Sequence, residues 1–167
     1  MPAPPRDVHG RRVHLAGSSD DRETLPPPPS GGPPAAMLID LEKTEQLPGG
    51  LCLAHARTPI GPVVARWCGD PDALPGRYDA EWTVDEDVAW LANTHPAPEQ
   101  SYLIGPRPDG LLLRGRLDEV ARAAAVLDLA GTLILLDLAG PLPDGALGTW
   151  IDIHAEREKV ALYPYEL

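Results

Sequence analysis

"GRYDAEWTVD", residues 76–85, alternates without a break. Tyr78, Ala80, Trp82 and Val84 fall on one side. Asp79, Glu81, Thr83 and Asp85 fall on the other. A period of two, apolar against polar, predicts an antiparallel strand with one face buried and one in water. The acidic run Asp85-Glu86-Asp87 then predicts a tight turn into Val88-Ala89-Trp90.

The same period extends outward in both directions. "GLLLRGRLD" (110–118) places Leu111, Leu113, Gly115 and Leu117 on one face and Leu112, Arg114, Arg116 and Asp118 on the other. Gly115 in mid-strand predicts a bulge or a bend. "VLDLAGTLILLDLAG" (126–140) predicts a hairpin turning near Ala130-Gly131-Thr132. "TWIDIHAEREKVALYPYEL" (149–167) predicts a terminal hairpin turning through Glu156 to Lys159. Towards the N-terminus, "LCLAHA" (51–56) and "VVARW" (63–67) are shorter strands, separated by the Pro- and Gly-bearing turn "RTPIGP". One segment departs from the pattern. "LDEVARAAAV" (117–126) is rich in helix formers, has acid at its start and repeats at helical spacing, so a short helix is expected over about residues 118–126.

Together these signals predict a mainly β fold, a small antiparallel barrel or sandwich with that one helix. The second half has the layout of a five-stranded oligonucleotide-binding-type barrel. Residues 1–36, with "TLPPPPSGGPPAA", lack periodicity and read as a disordered tail. Residues 37–167 read as a single β-rich domain, with 37–99 and 109–167 as the alternative two-part division. Met37 is the only internal methionine and stands at the start of the structured region, so it is an alternative start site.

An apparent repeat does not survive inspection. "PDALPGRYDAEWTVDEDVAW" (71–90) resembles "PDGALGTWIDIHAEREKVAL" (143–162), but the apolar face of the second copy, Ile151, Ile153 and Ala155, is one residue out of step. A slip of one residue exchanges core and solvent faces along a strand. The identities sit in turns, where Pro, Asp and Gly recur readily. Two hairpins with the same turn chemistry explain the echo better than duplication.

The chain has 167 residues and an apolar fraction of 43%, enough for a core, yet it contains no Phe. Its bulk must come from Leu, Val, Ile and Ala, with four Trp and four Tyr as anchors. The formal charge is −11. Charges balance over residues 1–34, so the deficit lies in the body. Nucleic-acid binding starts with Lys and Arg neutralising phosphates, so a net-acidic body without a basic run makes it the least favoured function. Anionic membranes are disfavoured on the same ground. Acidity suits a neutral or basic protein partner. No run approaches the length of a membrane span and no signal-peptide core is visible, so a soluble cytoplasmic protein is expected.

Several side chains could carry chemistry. Asp152, His154 and Glu156 alternate on one strand face, a usable geometry for metal ligands or for a carboxylate-oriented general base. A solvated face opposite Ile151 and Ile153 explains the same pattern and is preferred. Asp128 and Asp137 interrupt the most apolar hairpin, one in each arm. Burial would perturb them functionally, whereas pairing with Arg114 and Arg116 would make them structural. Cys52, His55 and Cys68 are zinc-binding residue types, but on a strand Cys52 and His55 face opposite sides and no fourth ligand is evident. No metal or cofactor is expected. Phosphate-cradling, dinucleotide, zinc-protease and serine-hydrolase motifs are absent from the sequence. The acidic cluster Asp79, Glu81, Asp85, Glu86 and Asp87, with Trp90 as an aromatic anchor, is the preferred functional surface. The favoured function is therefore a non-catalytic protein-binding or accessory domain acting through that surface. The alternative is a small enzyme or ligand-binding barrel using His154 with Asp152 or Asp128.

Overall fold

The computed structural model describes residues 36–165. The expected tail lies outside the described residues except for Ala36. The described chain is all β, with eleven strands and no helix. β1 (Met37–Gln46), β2 (Cys52–Thr58), β3 (Gly61–Trp67), β4 (Gly76–Val84) and β11 (Val160–Tyr165) close a barrel in the order β1-β2-β3-β11-β4. β5 (Thr94–Pro96), β6 (Leu103–Arg107), β7 (Gly110–Val120), β8 (Ala124–Leu129), β9 (Thr132–Asp137) and β10 (Trp150–Ala155) form a second sheet in the order β5-β10-β7-β8-β9. β6 shares with β8 the side of β7 that faces away from β10, pairing with its first half while β8 pairs with its second.

The alternation in 76–85 has the predicted sense. Ala80, Trp82 and Val84 are buried in the barrel, Tyr78 is half-buried, and the polar set faces outward. The β2–β3 hairpin turns at Pro59-Ile60, with Thr58 opposite Gly61. The β8–β9 hairpin turns at Ala130-Gly131, both at positive φ (56° and 91°). That is the backbone of a two-residue type I′ turn, which matches the twist of the strands it joins.

Four expectations need correction. Residues 118–126 are not helical. They are the end of β7, a turn in which the Ala121 N–H donates to the Ala124 carbonyl (2.8 Å), and the start of β8. Ala125, Leu127 and Leu129 all enter the core with Leu117, so cross-strand burial overrides the local preference of alanine. Gly115 is not the bulge. The register breaks two residues later, between Leu117 and Glu119. Glycine is needed at 115 because a Cβ there would stand 2.3 Å from the Asp128 carbonyl oxygen. The terminal hairpin does not form either. A turn follows Glu156, but β10 pairs with β5 and β7 whereas β11 pairs with β4 and, in parallel, with β3. Lastly, the five-stranded barrel is not in the second half. It has the Greek-key order of an oligonucleotide-binding-type barrel, but it is built from β1–β4 and the last strand.

Residues 85–159 thus depart from the barrel at the end of β4 and return at the start of β11, where Val84 lies opposite Val160. The two crossings are stitched to each other. The Asp85 N–H donates to the Lys159 carbonyl (2.8 Å), and the Glu156 N–H donates to the Glu86 carboxylate (2.9 Å). The barrel and the inner face of the second sheet share one apolar core. Trp67 and Trp82 supply its aromatic bulk in the absence of Phe, and Leu113, Ile134, Ile151 and Ile153 are fully buried on the sheet side. β6 ties the two together. The Ile104 N–H donates to the Ile60 carbonyl (2.9 Å), and a Cβ at Gly61 would overlap the Ile104 carbonyl at 2.0 Å. Among the described residues no helix is long and apolar enough to cross a membrane.

Candidate functional site

The alternative, enzymatic reading requires His154 to meet Asp152 or Asp128. Asp152 on β10 stands opposite Arg114 on β7. Both of its carboxylate oxygens are occupied, by Arg114 Nε at 2.6 Å and an Arg114 terminal nitrogen at 2.9 Å. This bidentate bond raises the Arg114 pKa further, against the opposing effect of burial. The pair is buried because the segment from Ala97 to Tyr102 crosses the outer face of the second sheet on its way from β5 to β6. Glu99 comes within 3.8 Å of Arg114, and the Tyr102 ring packs on Trp150 at 4.8 Å between centroids.

Asp128 has a different set of partners. Its carboxylate accepts the Tyr102 hydroxyl (2.8 Å) and the Gly131 N–H (2.7 Å), so it fastens the crossing segment and the β8–β9 turn at once. That hydrogen bond, with burial, holds the Tyr102 phenol above its ordinary range. The anticipated pairing of Asp128 and Asp137 with Arg114 and Arg116 is not made. Arg114 takes Asp152 and Arg116 lies near Asp118 (3.7 Å). Asp137 is exposed at the end of β9 and opposes Ala124. The four candidate catalytic residues therefore do not converge.

The acidic cluster is also divided. Glu81, on the outer wall of β4, accepts the Tyr165 hydroxyl (2.7 Å) and thereby raises the Tyr165 pKa. Asp85 holds Arg66 (2.8 Å). Glu86 takes the Glu156 N–H and has Lys159 at 3.6 Å. Asp79 lies on the same wall as Glu81, two residues earlier. Asp87 is exposed in the turn, and its carbonyl accepts the Asn93 side-chain amide (2.9 Å). Trp90 is half-buried against the core instead of projecting as an anchor. Cys52 faces the barrel interior, where burial pushes its thiol pKa up, while His55 faces outward and pairs with Glu45 (2.7 Å).

His154 is the candidate that opens onto a concavity. A groove of about 430 Å³ lies where β10 leaves the sheet, lined by Glu86, Asn93, His95, Asp109, His154 and Glu156 together with small apolar groups. The pairing of β5 with β10 creates it. His95 lies opposite Asp152, and its ring meets the His154 ring edge-on at 6.2 Å. The His154 N–H donates to the Asn93 carbonyl (2.8 Å), which fixes the wall. Comparison with protein-family models, with curated proteins and with solved structures gives no match. The groove thus stands on its own chemistry: three carboxylates, two imidazoles, and no Lys or Arg among its lining residues. Glu156 was expected beside His154 from its alternate spacing, whereas His95 and Asp109 become site residues only through strand pairing. His95 sits in "NTHPAP", a stretch whose three-residue strand has no legible period.

Proposed function

We propose that this is a non-catalytic, cytoplasmic protein-binding or accessory β domain that receives a neutral or basic segment of a protein partner through its acidic surface. The central element is the groove formed by Glu86, Asp109 and Glu156 with His95 and His154. The observation that carries the reading is the clustering of three carboxylates around a concavity, against a single lysine, Lys159, which lies 3.6 Å from Glu86 and 3.9 Å from Glu156. Such a site attracts and orients a Lys- or Arg-bearing segment. The exposed Asp87, next to Glu86 in the chain, extends the acidic field beside it. The dispersal of Asp128, Asp137 and Asp152 into separate contacts weighs against a catalytic assembly built on them.

The test is a titration with a pool of Arg- and Lys-containing extended peptides, followed by fluorescence anisotropy. The wild type should bind in a salt-sensitive manner. Reversing Asp109 and Glu156 to Lys should weaken binding at least about tenfold, which corresponds to roughly 1.4 kcal/mol. Equal binding by the double variant rejects the groove. A second reading, a ligand-binding or enzymatic site using His154, draws on the His95–His154 contact within the same groove. His154→Ala separates the two. It abolishes a small-ligand site and only weakens a peptide groove.

A further inference from the structure

β9 ends the second sheet. One side of it is paired along its whole length with β8, in unbroken register. Among the described strands, none pairs with its other side between Thr132 and Leu136. Among the described residues that side is occupied only further on, where the Val88 N–H donates to the Asp137 carbonyl (2.8 Å) and the Ala139 N–H donates to the Val88 carbonyl (3.0 Å). Peptide groups alternate in direction along a strand. The polarity that turns Asp137 outward therefore turns the N–H and C=O of Leu133 and Leu135 outward too. The side chains of these two residues stand on the outer face at 54% and 66% exposure, while Ile134 and Leu136 are fully buried. Edges of natural sheets carry Lys, Pro, inward charges or bulges that deter pairing. From Thr132 to Leu136 this edge has none.

We propose that β9 pairs with β9 of a second copy of this chain, antiparallel about a two-fold axis at Ile134, so that two sheets become one continuous sheet. Any strand can meet its own copy antiparallel about a two-fold axis, residue i on j and j on i; with the axis at Ile134 the flanking residues, Leu133 and Leu135, are both leucine. In this register Leu133 of each copy faces Leu135 of the other, and each such pair exchanges its outward N–H and C=O groups. The facing leucines cover one another and the shallow apolar depression beside Ala124, Val126 and Leu135. Charge placement admits a copy, because between Thr132 and Leu136 the edge offers no carboxylate for a cation to read, the exposed Asp137 lying just beyond. Asp137 of each copy falls opposite the uncharged turn at Gly131. Asp128 is turned onto Tyr102 and the Gly131 N–H. The ladder is short, since Val88 occupies the position beyond, so the contact falls below the area of a permanent dimer and gives a concentration-dependent one.

Sedimentation equilibrium of the full chain, from about 1 µM to about 1 mM, tests this. The expected result is a monomer–dimer equilibrium with nothing larger. Leu133→Pro removes an outward N–H without touching the β8 ladder, and Leu135→Lys places a charge against its copy. Both should weaken association at least about tenfold while leaving far-ultraviolet circular dichroism unchanged. If the proline variant misfolds, the lysine variant alone decides. A monomer throughout the range, or a dimer that persists in a folded Leu135→Lys variant, overturns the proposal.

Discussion

Arg114 and Asp152 meet under the segment that crosses the outer face, and neither is more than 12% exposed in its side chain. A buried pair adds little net stability over a well-packed apolar replacement, but removal of one member strands the other. Arg114→Ala is therefore expected to lower the unfolding free energy by about 3–5 kcal/mol, and Arg114→Met with Asp152→Leu to recover most of it. Urea denaturation checks both. Tyr102 makes a second prediction, in pH. Its phenol pKa is raised in the folded chain, first by the bond to Asp128. The folded form thus holds this proton more tightly than the unfolded chain does. The associated stability is complete below about pH 10, where an unfolded phenol titrates, and is lost as pH rises through the folded value. The urea midpoint should fall on this alkaline limb, and Tyr102→Phe should make the fall shallower. Tyr165, raised by Glu81, supplies a like contribution that the variant leaves in place.

At the scale of elements, the β8–β9 turn is good topology with imperfect chemistry. Ala130 sits at φ 56°, where a Cβ is strained and Asn is preferred. Ala130→Asn should raise stability by about 0.5–1 kcal/mol, read as a higher thermal midpoint. This hairpin was legible in the sequence because its two signals, Ala-Gly between apolar runs and an inside–outside period, are local. The facing of Ala80, Trp82 and Val84 was legible for the same reason. The stretch 118–126 was not. Alanine is a helix former by itself, and only the neighbouring strands of the sheet make Ala125 and Leu127 worth burying in extended form. The destination of β11 was equally hidden, since nothing in "VALYPYEL" distinguishes a partner four residues back from one on β4. Of the site, His154 was visible on its strand. Glu156 was visible beside it at alternate spacing, but His95 and Asp109 were not, because β5 pairing and the β6–β7 turn bring them there.

For the molecule as a whole, the stitched crossings have a kinetic consequence. β11 must find β4 and β3 across an interval of roughly 75 residues, whose closure costs about 2.5 kcal/mol more than a short hairpin loop would. If the second sheet forms first, the bonds from Asp85 and Glu86 to the turn before β11 already hold the ends of that interval together. The last strand then docks as though β4 and β11 were joined by a tight turn. The expected order is sheet before barrel closure. Stopped-flow measurements should find that Ile153→Val mainly slows refolding, whereas Leu162→Ala mainly speeds unfolding. A protein assembled in this order is vulnerable during synthesis. Until β11 emerges, the first four strands wait as an open half-cylinder with Trp82 uncovered, and their protection rests on how fast the intervening sheet gathers itself.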